Sequence, residues 1–287
     1  MAEVVITLVH GRHEHLLRQW RMLRTVAPEV SYVVIAMGDN AIAGLLRLDP
    51  HAHVVEIPVT PDGLPLAAAR NLGVRTARQL GGEPELLVIL DVDCLPGPGL
   101  ITRYAEAGRR APDDLLCGPV TYLPQGLLPE TPEALAAATA PHPVRPAPEA
   151  GDLERDGVHD LFWSLSFALT PATWDRIGGF CEEFTGYGGE DTDFAWRAKA
   201  AGVGLAWVGG ADAYHQWHPV STPPIEHLDD IVRNAQIVHR RWGRWPMRGW
   251  LDAFEASGLI TWRMDASGTP RPTRVTSGPD DAPSVHP

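Results

Sequence analysis

Four short runs of aliphatic and β-branched residues alternate with helical patterns in the N-terminal part of the chain. The runs are Val4 to Val9, Tyr32 to Ala36, His53 to Val59 and Leu86 to Leu90. Between them lie a helical pattern from Leu16 to Val26, stopped by Pro28, and another from Pro65 to Leu80, closed by Gly81-Gly82. Apolar strands separated by helices pack as a largely parallel sheet with both faces covered, because each crossover returns the chain over the sheet. The expected class is therefore α/β, a mostly parallel central sheet flanked by helices. Ligands on such sheets bind beyond the carboxyl ends of the strands, which makes the residues just after each strand the first candidates for function.

The texture changes between Leu123 and Asp160, where Pro129, Pro132, Pro141, Pro143, Pro146 and Pro148 punctuate an Ala- and Glu-rich stretch. A connection of that length reads as a Pro-rich mobile loop over 123–160, either a surface insertion or a lid on an acceptor. Order resumes with a strand from Leu161 to Thr170, a helix opening near Glu190, a strand from Val203 to Val208 and a helix from Ile225 to Trp242. Residues 265–287 are Pro, Ser, Gly, Asp and Arg without a core pattern and read as a disordered tail.

Composition removes several kinds of function. The 287 residues carry a formal net charge of −12, whereas a nucleic-acid-binding face needs Lys and Arg in excess, so nucleic acid is not an expected partner. Lys199 is the only lysine, which argues against a Schiff base or a phosphate-loop lysine. Cys94, Cys117 and Cys181 form neither a zinc pattern nor a disulfide framework, as expected of a reducing cytoplasm. Met1-Ala2-Glu3 runs into Val4 without a basic region, so no secretory signal is expected, and no apolar stretch is long enough to span a bilayer.

Asp91-Val92-Asp93 ends the Leu86–Leu90 strand, and alternate residues of an extended segment point the same way, so two carboxylates would flank one divalent cation. Asp-x-Asp alone is weak, and the chain has a second copy, Asp191-Thr192-Asp193. Only the first closes a buried strand. Upstream, Ala69-Arg70-Asn71-Leu72-Gly73 puts an arginine on the preceding helix, where its fork suits phosphate oxygens; by itself it reads as a surface arginine beside a small-residue stripe. Gly186-Tyr187-Gly188-Gly189-Glu190-Asp191-Thr192-Asp193 is the densest signal. Three acids in a first helical turn suit the dipole, but a cap needs one acid only, which leaves a carboxylate for general-base work. Tyr214-His215-Gln216-Trp217-His218 offers imidazole to an ion shared with Asp93, through either His215 or His218. His10, His13 and His15 lie in the first strand–helix loop and read as non-ligands. Trp163 offers an aromatic face to a sugar, although a single tryptophan is more often packing. Arg240 to Trp245, with Arg248 and Trp250, is expected to pack back on the protein, with weak peripheral contact to an anionic membrane as the other reading.

Taken together and in this order, Ala69-Arg70-Asn71-x-Gly73, Asp91-Val92-Asp93, Gly178-Gly179-Phe180 and the Gly186–Asp193 segment resemble a GT-A-fold glycosyltransferase. The front half resembles family 2, and the Gly-Gly-Glu-Asp segment resembles the C-terminal motif of galactosyltransferases. The resemblance implies a single GT-A (Rossmann-like) domain with a donor-binding half over 1–122 and an acceptor-binding and catalytic half over 161–264. It implies metal-dependent, inverting transfer from a nucleoside-diphosphate sugar, a UDP-sugar by preference, to a hydroxyl of a glycan, lipid-linked or small-molecule acceptor. Mn2+ or Mg2+ would sit on Asp93, His215 and Asp91. Arg12, Asp39, Arg70, Asp91 and Asp93 would bind donor. Trp163, Tyr187 and Glu190 would bind acceptor, and Asp191 would be the catalytic base. A non-catalytic nucleotide- or glycan-binding module is the alternative. A sugar nucleotidyltransferase is a weaker one, since the loop His10-Gly11-Arg12-His13 lacks the lysine that such enzymes use.

Overall fold

The computed structural model describes residues 3–266 and 268–275, which divide into two compact units. The first comprises residues up to 185 together with 190–219, and the second comprises 186–189 together with residues from 220 onward.

The first unit begins with β1 (Glu3–Val9), α1 (His13–Val26), β2 (Ser31–Met37), α2 (Ala41–Leu46), β3 (Ala52–Ile57), α3 (Leu66–Ala77) and β4 (Leu86–Leu90). All of these but α2 are expected from the sequence, shifted by a few residues at their ends. The chain continues through β5 (Cys94–Pro96), α4 (Leu100–Arg110), β6 (Asp114–Cys117), β7 (Val120–Tyr122), α5 (Pro132–Ala137), β8 (Leu153–Glu154), β9 (Ser166–Leu169) and α6 (Pro171–Ile177). It ends with α7 (Glu190–Ala200), β10 (Gly204–Val208) and β11 (Ala213–His215).

Eight strands form the main sheet in the order β3-β2-β1-β4-β9-β6-β10-β8. Strands β1 to β4 are parallel to their neighbours, as are β6 and β10, while β9 and the edge strand β8 run antiparallel. The inner strands β1, β2 and β4 are largely apolar, Val5, Ile6, Val33, Val34, Val88 and Ile89 being fully buried, because helices cover both faces. Helix α3 comes close to the sheet at Gly73, where any Cβ would run into the Ile6 side chain. A smaller sheet, β5-β11-β7, lies after the β4 end: β11 pairs antiparallel with β5 and parallel with β7.

Two sequence expectations change here. The strand read over Leu161 to Thr170 is confined to Ser166–Leu169, because His159–Leu161 forms a 3-10 turn. The Pro-rich 123–160 stretch, read as a mobile loop, carries α5 and β8 and contributes to the interior. Leu135 is fully buried, and the guanidinium of buried Arg145 lies over the rings of both Trp163 and Trp207, 4.9 Å from each centroid. Its prolines set turns rather than preventing them.

The second unit contains α8 (Leu228–Trp242), α9 (Arg248–Ala256) and a hairpin of β12 (Ile260–Met264) and β13 (Pro270–Arg274), packed around Ile231, Ala235, Leu251, Phe254 and Ile260. Strand β13 falls inside the stretch read as disordered from 265. Cross-strand pairing with β12 supplies the order that a polar composition did not reveal. Residues 276–287 of that tail lie outside the described residues. The aromatics of the Arg240–Trp250 run pack within this unit, His239 stacking on Trp245 at 4.0 Å and Trp245 meeting Trp262 at 5.1 Å. No helix among the described residues is long and apolar enough to cross a membrane.

Candidate active site

The strand register brings three loops together in the first unit. Parallel β1 and β4 are adjacent, so the loop His10–Arg12 emerges beside Asp91-Val92-Asp93. Parallel β1 and β2 are adjacent as well, which sets Gly38-Asp39 alongside. Asp39 accepts from the Gly11 backbone N–H at 3.1 Å and lies 2.7 Å from Nε2 of His13. The His13 hydrogen bond is the main reason its carboxyl is held below the ordinary carboxylate range. His10 is 2.7 Å from the Met37 carbonyl, so the histidines of this loop brace it against β2.

Asp91-Val92-Asp93 is a tight turn rather than an extended strand end, the Cys94 N–H donating to the Asp91 carbonyl at 2.8 Å. The two carboxylates take different side-chain partners. Asp91 Oδ1 faces Arg70 Nη2 at 3.2 Å. Asp93 Oδ2 faces Arg12 and lies 3.6 Å from Nε2 of both His215 and His218. Asp93, His215 and His218 are the group of metal-ligating side chains among the described residues, with their ligand atoms all within 4.8 Å. Asp91 stands outside it. Both histidines reach the same carboxylate. Pairing of His215 with Cys94 across β11 and β5 puts it there.

Burial alone would raise the Asp93 carboxyl, but His218, His215 and Arg12 outweigh it and hold it well below the usual range. Burial lowers the His215 imidazole, which keeps the lone pair a metal needs. Burial raises Asp91 to about 6, against Arg70 and with the help of neighbouring Asp93. One carboxylate and two imidazoles on a buried-to-half-buried wall fit a divalent transition metal.

Helix α7 supplies the second set of acids. Glu190, Asp191 and Asp193 occupy its first turn, and Arg197 and Lys199 lie in its last, both matched to the helix dipole. The two leading acids differ. Glu190 is buried, its Oε1 3.3 Å from Arg70 Nη1, and burial with Asp191 nearby raises it to about 7 despite Arg70. Asp191 is half-buried and accepts from the Thr192 N–H at 2.7 Å; burial raises it too. Arg70 is therefore not the surface arginine its isolated motif suggested. It is 2 % exposed and bridges the strand-end acid to the helix-start acid. Trp163 is half-buried, over Arg145 and edge-on to His142 at 5.1 Å. Tyr187 belongs to the second unit, where its ring stacks on His227 at 4.6 Å and its N–H donates to Asp230.

Sequence reasoning passed over three side chains. Gln19 of α1 is fully buried and donates to the carbonyls of both Asp91 and Cys94 at 2.7 Å, fixing the turn, while Tyr32 donates to its side-chain oxygen. A polar residue in the apolar stripe of Leu16, Met22 and Leu23 was the available signal. Tyr122 and His142 gave none. Tyr122 reaches His215 only through the parallel register of β7 with β11, their rings 4.7 Å apart, and His142 meets the edge of Tyr122.

Known proteins resemble parts of this chain. Residues 158–219 match the family model described as the N-terminal domain of galactosyltransferase. Validoxylamine A glucosyltransferase of Streptomyces hygroscopicus subsp. jinggangensis (strain 5008) is 30% identical over 177 residues, 54% of this chain and 40% of the relative. Chondroitin synthase of Escherichia coli is 29% identical over 189 residues, 55% of this chain and 26% of the relative. The chain thus spans well under half the length of these curated relatives. Among solved structures, GalNAc-T7 with UDP, GalNAc and Mn2+ superposes with a TM-score of 0.57 at 14% identity, over 90% of this chain and 50% of that one. TarS 1-349 of S. aureus with UDP-GlcNAc gives 0.56 at 14% identity, over 88% and 75%. The chain has the GT-A fold of these glycosyltransferases, and the likeness read from its motifs holds.

Proposed function

We propose that the chain transfers a sugar from a nucleoside-diphosphate sugar, by preference a UDP-sugar, to an acceptor hydroxyl with inversion at the anomeric carbon. One observation carries the reading: a half-buried carboxylate–imidazole cluster lies in one unit with a strand-end acid, Asp91, and a helix-start acid, Glu190, that share one arginine. Solved neighbours holding UDP, UDP-GlcNAc and Mn2+ support it.

Asp93, His215 and His218 would hold the ion, manganese rather than magnesium because two of the three donors are imidazoles. A divalent ion there supplies positive charge against the leaving diphosphate. Arg12 adds charge beside it, and Asp91 and Asp39 would orient ribose and base. Asp191 would take the acceptor proton. Asp191 is half-buried, whereas Glu190 is buried against Arg70. Trp163 and Glu190 would stand on the acceptor side. The acceptor is a hydroxyl of a glycan, lipid-linked or small molecule.

Thermal shift tests the donor half directly. UDP with Mn2+ is expected to raise the melting temperature of the wild-type protein, since a ligand bound only by the native state stabilises it by mass action. Asp93→Ala should lose the manganese-dependent part. A shift of equal size in that variant would remove the ion from Asp93. No shift with UDP, GDP, CDP or dTDP would favour a glycan-binding module.

A further inference from the structure

The Ala69-Arg70-Asn71-x-Gly73 motif does more than approach the sheet. Asn71 donates to the Phe180 carbonyl at 2.9 Å and accepts the Phe180 N–H at 2.8 Å, so α3 clamps the backbone of the Gly178-Gly179-Phe180 turn. Phe180 stacks on Phe194 of α7 with centroids 4.2 Å apart and planes 6° from parallel. The guanidinium of Arg70 lies over the other partner in this stack, 5.1 Å from the Phe180 centroid. One residue of α3 therefore fixes the segment ahead of α7, and its neighbour grips an acid at the end of β4 and an acid at the start of α7.

We infer that Arg70 is a positioning residue that couples the donor side of the site to its acceptor side, through one buried guanidinium shared by Asp91 and Glu190. The inference rests on the glycosyl-transfer reading, and it gives Arg70 a task distinct from touching the diphosphate. Nη2 faces Asp91 and Nη1 faces Glu190; Nε is buried without a hydrogen-bond partner among the described residues. The second oxygen of Glu190 is equally buried and unpartnered. One positive charge thus serves two carboxylates for which the described residues offer no second ion-pair partner. Whatever changes the charge at one of them redistributes the hold on the other, and such coupling is reciprocal. A lysine would keep the charge but lacks the planar fork, so it satisfies one acid at a time.

The test is a cycle of Arg70→Lys, Glu190→Gln and the double variant, with UDP plus Mn2+ as probe and isothermal titration as readout. Glu190 lies on the acceptor side, so a merely structural Arg70 gives Glu190→Gln no route to nucleotide affinity. With Arg70 present, Glu190→Gln is expected to tighten UDP binding about 5- to 10-fold, the low end of ordinary coupling between sites. In the Arg70→Lys background the same change should shrink below about twofold, since a point charge does not bridge both acids. Additive effects in the two backgrounds would overturn the inference while leaving UDP binding intact. Failure of wild-type protein to bind UDP would instead be a failure of the donor reading. Arg70→Met serves as the second variant, and its melting temperature shows whether the fold survives loss of the cation.

Discussion

Asp191→Asn is expected to lower turnover by about 10²- to 10⁴-fold, the ordinary worth of a positioned general base, with UDP affinity unchanged. Asparagine keeps the size of the side chain and its acceptor oxygen for the Thr192 N–H, so the start of α7 should hold its shape. UDP release from UDP-sugars across a panel of acceptors gives the turnover, and titration with UDP and Mn2+ gives the affinity. Equal losses in both would take the base role away from Asp191. Glu190→Gln supplies the contrast. Its carboxylate is sealed on the Arg70 side, so its removal should disturb the acceptor Michaelis constant more than the chemical step.

Glu190 also governs how stability depends on pH. Its carboxyl rises to about 7 in the folded protein from an unfolded value of 4.5, chiefly because burial penalises the charge. A raised carboxyl pKa means the folded state holds its proton longer than the unfolded chain does. The corresponding stability is present in full below pH 4.5 and is lost as pH rises through 7. Integrated across that window, the loss is on the order of 3 kcal/mol at 1.36 kcal/mol per pH unit. Asp191 and Asp91 are raised too and act with the same sign, and Arg70 opposes all three. In urea unfolding between pH 5 and pH 8, wild-type stability should therefore fall relative to that of Glu190→Gln; His15, His159 and His215, lowered by burial, act with the opposite sign in both proteins. Parallel profiles in the two proteins would show that Arg70 compensates the charge fully.

The parallel half of the sheet was legible because apolar periodicity and turn residues are local signals. Val4 to Val9 and Leu86 to Leu90 announce buried strands, and position alone then marks Asp91 and Asp93. What stayed hidden depends on register between distant segments. Nothing near Tyr122 foretells its ring against His215, since parallel pairing of β7 with β11 brings them together. Arg70 read as a surface residue because its partners are 21 and 120 positions away. Asp-x-Asp read as an extended strand end because spacing says nothing of whether the chain stays extended or turns, and here it turns. Hairpin β12–β13 was missed for a different reason: its second strand, Pro270–Arg274, is polar, and takes its order from β12 and from α8 rather than from an apolar pattern of its own.

The smaller sheet has a practical consequence through its first residue. Cys94 opens β5, directly after Asp93 and paired with His215; it is fully buried, and burial raises its thiol well above the ordinary value. Alkylating reagents consume thiolate, so in the folded state this sulfur should be almost inert and should react only when the small sheet detaches. Cys181, half-buried, provides an internal fast reference on the same molecule. The labelling rate of Cys94 then becomes a stopwatch for local opening beside the ion cluster, and UDP with Mn2+ is expected to slow it relative to Cys181. Equal rates at the two thiols would mean that the small sheet opens as freely as the surface.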